Sequence, residues 1–331
     1  MIERASDFIA RALYDPQRGY YTRRIRDVGG GRGDFATSAT LSPTLGRAIA
    51  QWLRAEMQAA PGVRDVIEVG AGNGALMQQI RRSIGWWQRA RWQFHIVEKS
   101  PVLQERQRSL LGASVRWWHS IETALHHCKG RALIYNNELM DAFPCTVAQW
   151  SATEAAWLEV WIETPPNGSA REVLKPLPWP APEQQPFSAL QQKSPPRDGQ
   201  RIELHGSVRD WLQGWSPHWQ KGSSLIIDYG DEFPALYHRR PAGTLRGYLM
   251  HQRLTGPDVW QNPGRQDLTA DINFTDLRHW TQDLGWQETT YTTQAEFIQT
   301  WNPQAHTAAD QQMNAAGGAG DAFKCLTHRQ S

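Results

Sequence analysis

The chain has 331 residues and a formal net charge of +2, which is enough for one large domain or a domain with a sizeable insertion. No segment approaches the ~18 consecutive apolar residues of a transmembrane helix. The small net charge gives the molecule no broad electrostatic footprint for nucleic acid or anionic lipid. We therefore expect no membrane insertion and no nucleic-acid partner.

Cysteine usage and the first residues indicate the compartment. Cys128, Cys145 and Cys325 lie far apart and show no metal-ligand spacing, so we expect thiols in a reducing environment and no metal. The N-terminal segment lacks a positively charged head followed by an apolar region, so we expect no secretory signal and a cytoplasmic location. The chain has 17 tryptophans, and we expect most of them to pack in the core.

The first sixty residues read as a cap that precedes the central domain. Apolar residues in 2–13 recur at helical spacing and predict a helix. Residues 23–33 are rich in arginine and glycine and predict a loop. A second helix is predicted to end at Ala59, with Ser42 as its N-cap and Pro43 as its first residue.

A glycine-rich stretch follows the cap. Residues 66–76 read Val-Ile-Glu-Val-Gly-Ala-Gly-Asn-Gly-Ala-Leu, which predicts a buried strand, a tight turn and the start of a helix. Glycines at 70, 72 and 74 permit positive φ and close backbone approach to a ligand, and Glu68 sits at the strand end. The glycines also satisfy the dinucleotide pattern, so they do not choose between cofactors.

Strands and helices then alternate, which predicts a parallel sheet with helices on both faces. The predicted strands are 93–97, 114–118, 131–136, 223–227, 287–292 and 323–327, and the predicted helices are 75–84, 102–111, 121–128, 207–215, 275–284 and 294–301. Residues 145–164 predict two strands, and the proline-rich 165–197 predicts a loop. We therefore divide the chain into a cap (1–60), two halves of one domain (61–144 and 206–331) and insertions (145–205 and 231–270).

Polar residues at the predicted strand ends are candidates for cofactor binding. Glu98 ends the second strand and could accept hydrogen bonds from ribose hydroxyls. Trp118 ends the third strand, beside His119, where an adenine ring would lie. The alternative for Glu98 is an ordinary surface glutamate at a strand end.

The segment after the fourth strand is the candidate catalytic segment. Asn137, Glu138 and Asp141 would place an amide and two carboxylates at the sheet edge beside the cofactor, and Asn137 is also a candidate for cofactor binding. Two carboxylates can hold a cationic substrate or act as a general base. Glu138 and Asp141 share a face if the segment is helical. The alternative is helix capping.

Other polar residues are candidates for substrate contact. Asp228 and Tyr229 follow the fifth strand, and His251 lies in a polar insertion where a structural role is the alternative. Three residues of the early loop, Asp34, Thr37 and Ser38, could close over a ligand: Asp34 over the substrate, and Thr37 and Ser38 over the cofactor.

Several separated motifs resemble those of one family. The glycine turn with Glu68 and Glu98 resembles the cofactor signature of class I S-adenosylmethionine (SAM) methyltransferases. More specific matches resemble the MidA family, which includes a mitochondrial complex I assembly-factor arginine methyltransferase. These matches are Leu13-Tyr14-Asp15-Pro16, Gly33-Asp34-Phe35, Ile96-Val97-Glu98, Asn137-Glu138, Asp141-Ala142, Asp228-Tyr229-Gly230, Thr244-Leu245-Arg246-Gly247-Tyr248, Asp267-Leu268-Thr269-Ala270 and Phe323-Lys324-Cys325-Leu326.

The resemblance implies an α/β fold, a Rossmann-like seven-stranded sheet with an N-terminal cap and β and loop insertions. It implies S-adenosyl-L-methionine as methyl donor, S-adenosylhomocysteine as product, and a protein arginine as acceptor, such as a subunit of a respiratory complex. The chain departs from the family pattern at Thr37-Ser38-Ala39-Thr40, at Leu45-Gly46-Arg47 and at Asp271, where a histidine is usual. These departures concern the choice of acceptor.

Three alternatives stay open at this point. The acceptor could be a peptide or a small molecule. The fold could serve an assembly chaperone that binds SAM without turnover. An NAD(P)-dependent oxidoreductase would use the same glycine pattern, although no hydride-transfer acid and base pair is evident.

Overall fold

The computed structural model describes residues 1–25, 43–166, 168–177, 195–250, 252–304 and 319–331. The chain divides into two compact units, and each unit consists of three stretches of sequence. Unit 1 comprises Met1–Ile25, Met140–Leu212 and Gly230–Trp280, and unit 2 comprises Arg26–Leu139, Gln213–Tyr229 and Thr281–Ser331. No helix in the described ranges is long and apolar enough to cross a bilayer.

Strands and helices are numbered along the chain. The strands are β1 (Ile2–Arg4), β2 (Asp65–Val69), β3 (Gln93–Val97), β4 (Val115–Trp118), β5 (Ala132–Asn137), β6 (Thr146–Ser151), β7 (Ala156–Glu163), β8 (Arg171–Pro176), β9 (Arg201–Leu204), β10 (Gly222–Asp231), β11 (Arg246–Leu249), β12 (Gln252–Thr255), β13 (Asp267–Thr269), β14 (Ile272–Asn273), β15 (Gln287–Thr293) and β16 (Phe323–Gln330). The α-helices are α1 (Ala5–Tyr14), α2 (Thr44–Ala59), α3 (Ala75–Ser83), α4 (Trp86–Arg91), α5 (Pro101–Leu111), α6 (Ile121–His127), α7 (Gly206–Trp215), α8 (Ala235–His238), α9 (Phe274–Asp283), α10 (Gln294–Trp301) and α11 (Ala319–Ala322). Short 3-10 turns include Met140–Ala142, Ser216–His218 and Gly256–Trp260.

The main sheet of unit 2 has the strand order β15-β16-β10-β5-β2-β3-β4. Strand β16 is antiparallel to β10 and β15, and the other pairings along this path are parallel. Parallel strands need covered faces, which explains the near-continuous apolar runs of β2 and β3. The order reverses between β2 and β5, since the chain builds outward from β2 first in one direction and then in the other.

Helices α2, α3 and α10 supply side chains to the core on one face of this sheet. The amphipathic α2 contributes Leu45, Ile49 and Leu53, which are fully buried at helical spacing. The sheet contributes residues such as Val66 and Leu225 to the same core. This packing fixes α3, and therefore the glycine turn that precedes it.

Three buried tryptophans form a second cluster in unit 2. Trp215, Trp219 and Trp286 have ring centroids 5.0 to 6.0 Å apart. Two of their indole nitrogens donate hydrogen bonds: Trp286 Nε1 donates to Ser216 Oγ at 2.7 Å, and Trp219 Nε1 donates to the Ala132 carbonyl at 3.0 Å. These copies fit the expectation that tryptophan packs in the core.

Unit 1 contains a five-stranded antiparallel sheet of order β1-β7-β6-β9, with β8 pairing on β7. Helix α1 buries Phe8, Ile9 and Leu13 on one face. A three-stranded sheet of order β12-β11-β13 lies in the same unit, and β14 pairs in parallel with the end of β10 at Gly230 and Asp231. The described 145–204 region thus carries four strands of one sheet.

The predicted alternation of strands and helices in unit 2 is confirmed, with ends that differ by a few residues. Three predictions were wrong in detail. Ile2–Arg4 forms β1 instead of the first helical turn, because it pairs with residues 161–163 of β7. Helix α2 begins at Thr44, and Pro43 occupies the N-cap position. The predicted loop 165–197 contains β8.

Candidate active site

The carboxyl ends of β2 and β5 lie side by side where the strand order reverses. β2 pairs in parallel with β3 on one side and β5 on the other. Open α/β sheets bind ligands in the crevice outside such a switch point. A ligand of unit 2 is therefore expected beside the loops that follow these two strands.

The loop after β2 is the glycine turn. Gly70, Gly72 and Gly74 have φ of +70°, +53° and +84°, the left-handed region that L side chains rarely adopt. The Gly70 N–H donates to the Val97 carbonyl at 3.0 Å, which ties the turn to the end of β3. Helix α3 starts directly after Gly74, and its first N–H, that of Ala75, donates to Asn73 Oδ1 at 3.0 Å, so the positive end of the helix dipole lies at the turn.

The loop after β5 packs against the glycine turn. A Cβ atom at Gly70 would lie 2.6 Å from Leu139 Cδ1, closer than any tolerated carbon contact. The absence of a side chain at position 70 therefore allows Leu139 to sit on the turn. This contact brings Asn137 and Glu138, which precede Leu139 in the same loop, to the switch point.

Glu98 follows β3 and is buried in a small polar network. Its Oε1 accepts from the Ser100 N–H at 2.8 Å, and its Oε2 accepts from Gln107 Nε2 at 3.2 Å. Gln107 Nε2 also donates to the Gly72 carbonyl at 2.8 Å, which links Glu98 to the glycine turn. Burial raises the pKa of Glu98, while the hydrogen bonds from Ser100 and Gln107 act in the opposite direction.

Glu68 is buried at the end of β2. Burial raises the pKa of its carboxyl to about 8, and the nearby Glu98 acts in the same direction. The Tyr135 hydroxyl donates to Glu68 Oε2 at 3.0 Å. Glu68 is therefore protonated at neutral pH in this structure, so the two acids beside the turn do not both carry charge there.

Glu138 has an unusual backbone conformation for its residue type. Its φ is +51°, in the left-handed region, which costs a non-glycine residue free energy. The Glu138 N–H donates to the Ile227 carbonyl at 2.9 Å, and Asn137 Nδ2 donates to Glu138 Oε1 at 3.0 Å. The strained backbone thus holds a half-buried carboxylate beside the glycine turn.

Asp228 braces this loop. Its Oδ2 accepts from the Leu139 N–H at 3.2 Å, and its Oδ1 accepts from the Tyr229 N–H at 2.9 Å. The Tyr229 ring packs on Phe323, with centroids 3.9 Å apart. Asp228 is fully buried, so these contacts favour a role in loop support over the substrate contact predicted from the sequence.

Asp141 belongs to unit 1, where it lies in a second acidic group. Its Oδ2 accepts from Thr269 Oγ1 at 2.7 Å, and burial raises its pKa. Burial and the charge of Asp141 raise the pKa of Asp267 to about 7, and the Tyr21 hydroxyl donates to Asp267 Oδ1 at 2.8 Å. The 3-10 turn Met140–Ala142 leaves Glu138 outside any helix, so the condition under which Glu138 and Asp141 would share a helical face is not met.

A family model of S-adenosyl-L-methionine-dependent methyltransferases matches residues 44–292, most of the chain. The chain belongs to this family. SAM is therefore the cofactor and methyl transfer the reaction, which removes the NAD(P) alternative that the glycine pattern left open.

Curated relatives of this methyltransferase have the same reaction class in their names. The mitochondrial protein arginine methyltransferase NDUFAF7 of Danio rerio is 28% identical over 305 residues, which covers 82% of this chain and 67% of the relative. The Homo sapiens protein of that name is 26% identical over 310 residues, 84% of this chain and 65% of the relative. The chain spans about two thirds of the length of these relatives.

Two solved structures share the fold. A COG1565 superfamily member from Burkholderia thailandensis, bound to S-adenosyl-homocysteine, has a TM-score of 0.85 at 24% identity and covers 99% of this chain and 88% of its own. A native structure of a COG1565 superfamily protein from the same organism has a TM-score of 0.80 at 24% identity. The match covers 99% of this chain and 87% of that protein. The α/β methyltransferase fold predicted from the sequence is confirmed.

The residues of unit 2 fit the methyltransferase's cofactor. Three left-handed glycines at alternate positions leave the backbone of the turn open to close approach by a ligand. The Glu98 carboxyl, buried beside that turn, supplies acceptors of the kind that ribose hydroxyls need. The binding roles of Glu68, Glu98 and the glycines remain predictions.

Trp118 points away from this network. Its Nε1 donates to His95 Nδ1 at 3.0 Å, whereas Trp117 Nε1 donates to Gln107 Oε1 at 3.0 Å. Neighbouring residues of a strand face opposite sides, so only one of the two indoles reaches the side of Glu98. The contacts favour Trp117 over the predicted Trp118 for a place near the cofactor.

The hydrogen bond from Trp118 also determines which ring nitrogen of the buried His95 carries the proton. Asp65, His95 and Cys128 lie close enough to form a metal-ligand cluster. His95 Nδ1 accepts from the indole, so Nε2 carries the proton and donates to Asp65 Oδ1 at 2.8 Å. Burial raises the pKa of Cys128, so this thiol keeps its proton. A metal ion at this cluster would need the lone pair of His95 Nε2, and in this arrangement that lone pair is bonded to a proton.

Four predicted site residues lie outside the described residues: Asp34, Thr37, Ser38 and His251. Three residues that the sequence reasoning missed join the network, namely Gln107, Tyr135 and Leu139. Gln107 could have been found, because it lies between Leu103 and Leu111 at four-residue spacing on the buried face of α5. A polar residue on an apolar helix face indicates a specific partner.

Proposed function

We propose that this methyltransferase transfers the methyl group of SAM to a guanidine nitrogen of an arginine in a protein. The observation that carries the proposal is Glu138, a carboxylate held in a strained conformation beside the glycine turn of unit 2. Support also comes from relatives named protein arginine methyltransferases, which align over most of the chain.

The cofactor, when bound, supplies a methyl group on a positively charged sulfur. The residues of the chain would bind and orient the cofactor. The glycine turn has no side chains at positions 70, 72 and 74, so the cofactor can approach its backbone closely, and Glu98 would accept hydrogen bonds from the ribose hydroxyls. Glu68 is a neutral acid at pH 7, so it can donate a hydrogen bond without adding negative charge.

Glu138 acts on the acceptor. An arginine side chain is protonated at neutral pH, and its nitrogen becomes a nucleophile only with an available lone pair. The Glu138 carboxylate orients the guanidinium through charge-assisted hydrogen bonds and accepts the proton that leaves as the new C–N bond forms. Asn137, which donates to Glu138 Oε1, keeps the carboxylate in one orientation.

Asp141 remains a candidate ligand of the acceptor, and its own contacts lie within unit 1. A respiratory-complex subunit as acceptor and a cytoplasmic location both stay predictions, and the relatives are named as mitochondrial.

The test incubates the purified chain with isotope-labelled SAM and cell lysate, followed by peptide mass spectrometry. We expect labelled methylarginine in a discrete protein. Glu138→Gln should lower the transfer rate roughly 100-fold or more while the calorimetric affinity for SAM stays unchanged. Label on a different residue or on a small molecule would refute the arginine proposal. SAM binding without any transfer would indicate an assembly chaperone instead.

A further inference from the structure

At the end of the unit 2 sheet opposite the glycine turn, the connections into the parallel strands from β4 to β10 carry positive charge, whereas Asp65 begins β2 and the exposed Asp283 and Glu288 flank the start of β15. The connections that lead into β2, β3, β4, β5 and β10 contain no aspartate or glutamate. They are residues 60–64, 84–92, 112–114, 128–131 and 216–221. The cations in these connections are Arg64, Arg89, Arg91, Lys129, Arg131 and Lys221. We call this surface the basic edge.

Two tryptophans protrude from the basic edge. Trp86 and Trp87 open the short helix α4 and are 61% and 63% exposed. Their rings stack on each other, with centroids 3.8 Å apart and planes tilted by 26°. Two adjacent exposed indoles are unusual on a soluble surface, where contiguous apolar patches mark interaction sites. By contrast, the three tryptophans of the other cluster in unit 2, Trp215, Trp219 and Trp286, are buried.

The charge around the two indoles is positive and uncompensated along the chain. Arg82, Arg89 and Arg91 are exposed on either side of the pair, and no acidic residue occurs between Glu68 and Glu98. Burial and then the charge of Arg89 lower the pKa of Arg81, as expected where like charges gather. Aromatic residues are thus interleaved with arginines on one short helix.

We propose that the basic edge docks on an anionic phospholipid surface, with the indoles of Trp86 and Trp87 entering the headgroup region and the arginines contacting lipid phosphates. Tryptophan is enriched at membrane interfaces because its ring is apolar and its N–H is polar. Basic residues beside an anionic bilayer each contribute roughly 1 kcal/mol, about a fivefold change in affinity.

The shape of the charge favours a lipid surface over a protein or RNA partner. The cations are spread over several connections of the sheet, and a bilayer presents an equally broad field of one sign. The indole faces are stacked on each other, which leaves them poorly placed to stack on separate bases. Peripheral attachment needs no spanning helix, so it is compatible with the helices described above.

Attachment at this edge leaves the glycine turn accessible. Strand β3 runs from Gln93, next to α4, to Val97, which bonds Gly70. A five-residue strand spans about 16 Å, so the lipid surface and the cofactor site occupy opposite ends of the strands. Substitutions at the basic edge should therefore change membrane attachment without changing methyl transfer in solution.

The test is co-sedimentation of the full chain with vesicles of phosphatidylcholine alone and of phosphatidylcholine mixed with phosphatidylglycerol. We expect binding to the anionic vesicles only, weakening as salt is added. The pair Arg89→Gln and Arg91→Gln should weaken binding roughly 30-fold, and the pair Trp86→Ser and Trp87→Ser roughly tenfold or more. A control pair, Arg253→Gln and Arg265→Gln, changes exposed arginines of unit 1 and should alter binding less than about twofold.

Calorimetric SAM affinity and circular dichroism show that each variant is folded. Equal binding to neutral and anionic vesicles, or equal loss in the control pair, would overturn the proposal. If the chain binds neither kind of vesicle but binds single-stranded RNA in a gel-shift assay, the proposal is also overturned. The edge would then be assigned to nucleic-acid binding.

Discussion

The two ends of the unit 2 sheet differ in the sign and the setting of their charges. Four acids lie at or just after the carboxyl ends of the strands, and three of them are buried: Glu68, Glu98 and Asp228 are buried and Glu138 is half-buried. The connections that precede β2, β3, β4, β5 and β10 have arginines and lysines as their charged residues, although Asp65, Asp283 and Glu288 also lie at this end. The net charge of +2 is a sum over the whole chain and does not show this separation. Net charge alone therefore does not exclude a charged partner surface.

The difference has a chemical consequence. Burial raises the pKa values of Glu68 and Glu98, and it raises that of Glu68 to about 8, so Glu68 can exchange a proton near neutral pH. Exposed arginines keep a constant charge and respond to salt instead. One end of the sheet is thus suited to chemistry and the other to attachment.

The largest expected effect is the loss of methyl transfer in Glu138→Gly. Lys129→Gly, at the opposite end of the sheet, is its matched control. Both residues have left-handed φ, of +51° and +53°. Glycine relieves the strain, so both variants should gain about 1 kcal/mol in the free energy of unfolding measured with denaturant. Only Glu138→Gly should lose methyl transfer, roughly 100-fold or more. Equal activity of the two variants would remove Glu138 from the mechanism.

A smaller effect is expected from Glu98→Gln. The amide keeps the size of the side chain but loses one acceptor and the option of negative charge, so the calorimetric affinity for SAM should fall roughly 10- to 100-fold. Glu105→Gln, on the exposed face of α5, is the matched control and should leave affinity unchanged. A change of similar size in both variants would contradict the assignment of Glu98.

The pH dependence of stability tests Glu68. Its pKa is about 8 when folded, against an ordinary 4.5, so the folded state binds the extra proton between these values. Stability from this group is present below pH 4.5 and is lost as pH rises through 8. The parent should therefore lose free energy of unfolding, measured in urea titrations, as the pH rises from about 5 to about 8. Glu68→Gln should not show this loss, so its stability relative to the parent should rise over the same range. Glu163→Gln should show no such gain, because Arg171 lowers the pKa of Glu163.

The smallest expected effect on cofactor binding comes from Trp118→Phe. It removes the hydrogen bond to His95 and should cost about 1 kcal/mol in the free energy of unfolding. SAM affinity should change less than about twofold, whereas Trp117→Phe, which loses the bond to Gln107, should weaken it more. The reverse order would restore Trp118 to the cofactor site.

Much of unit 2 could be predicted from local pattern. Short runs rich in valine, isoleucine and phenylalanine, such as 66–69 and 94–97, are followed by Gly70 and Glu98, which define parallel strands and their ends. The acids at those ends follow from the general rule for open α/β sheets. These features depend on residues close together in the sequence.

The rest depends on contacts between distant residues. β1 has only three residues and forms through pairing with β7. Choosing between Trp117 and Trp118 requires the strand register. The left-handed φ of Glu138 has no local signal, because glutamate rarely adopts it and Asp228 supports it from far along the chain. The Tyr21 and Asp267 contact likewise joins two distant segments.

The position of β16 has a consequence for folding order. β16 lies between β10 and β15, and these two strands contact the same partner from opposite sides. During synthesis β15 therefore has no place in the sheet until residues 323–330 have emerged. The five-strand path from β10 to β4 contains the switch point and can assemble earlier, so the cofactor site should form before its sheet is complete.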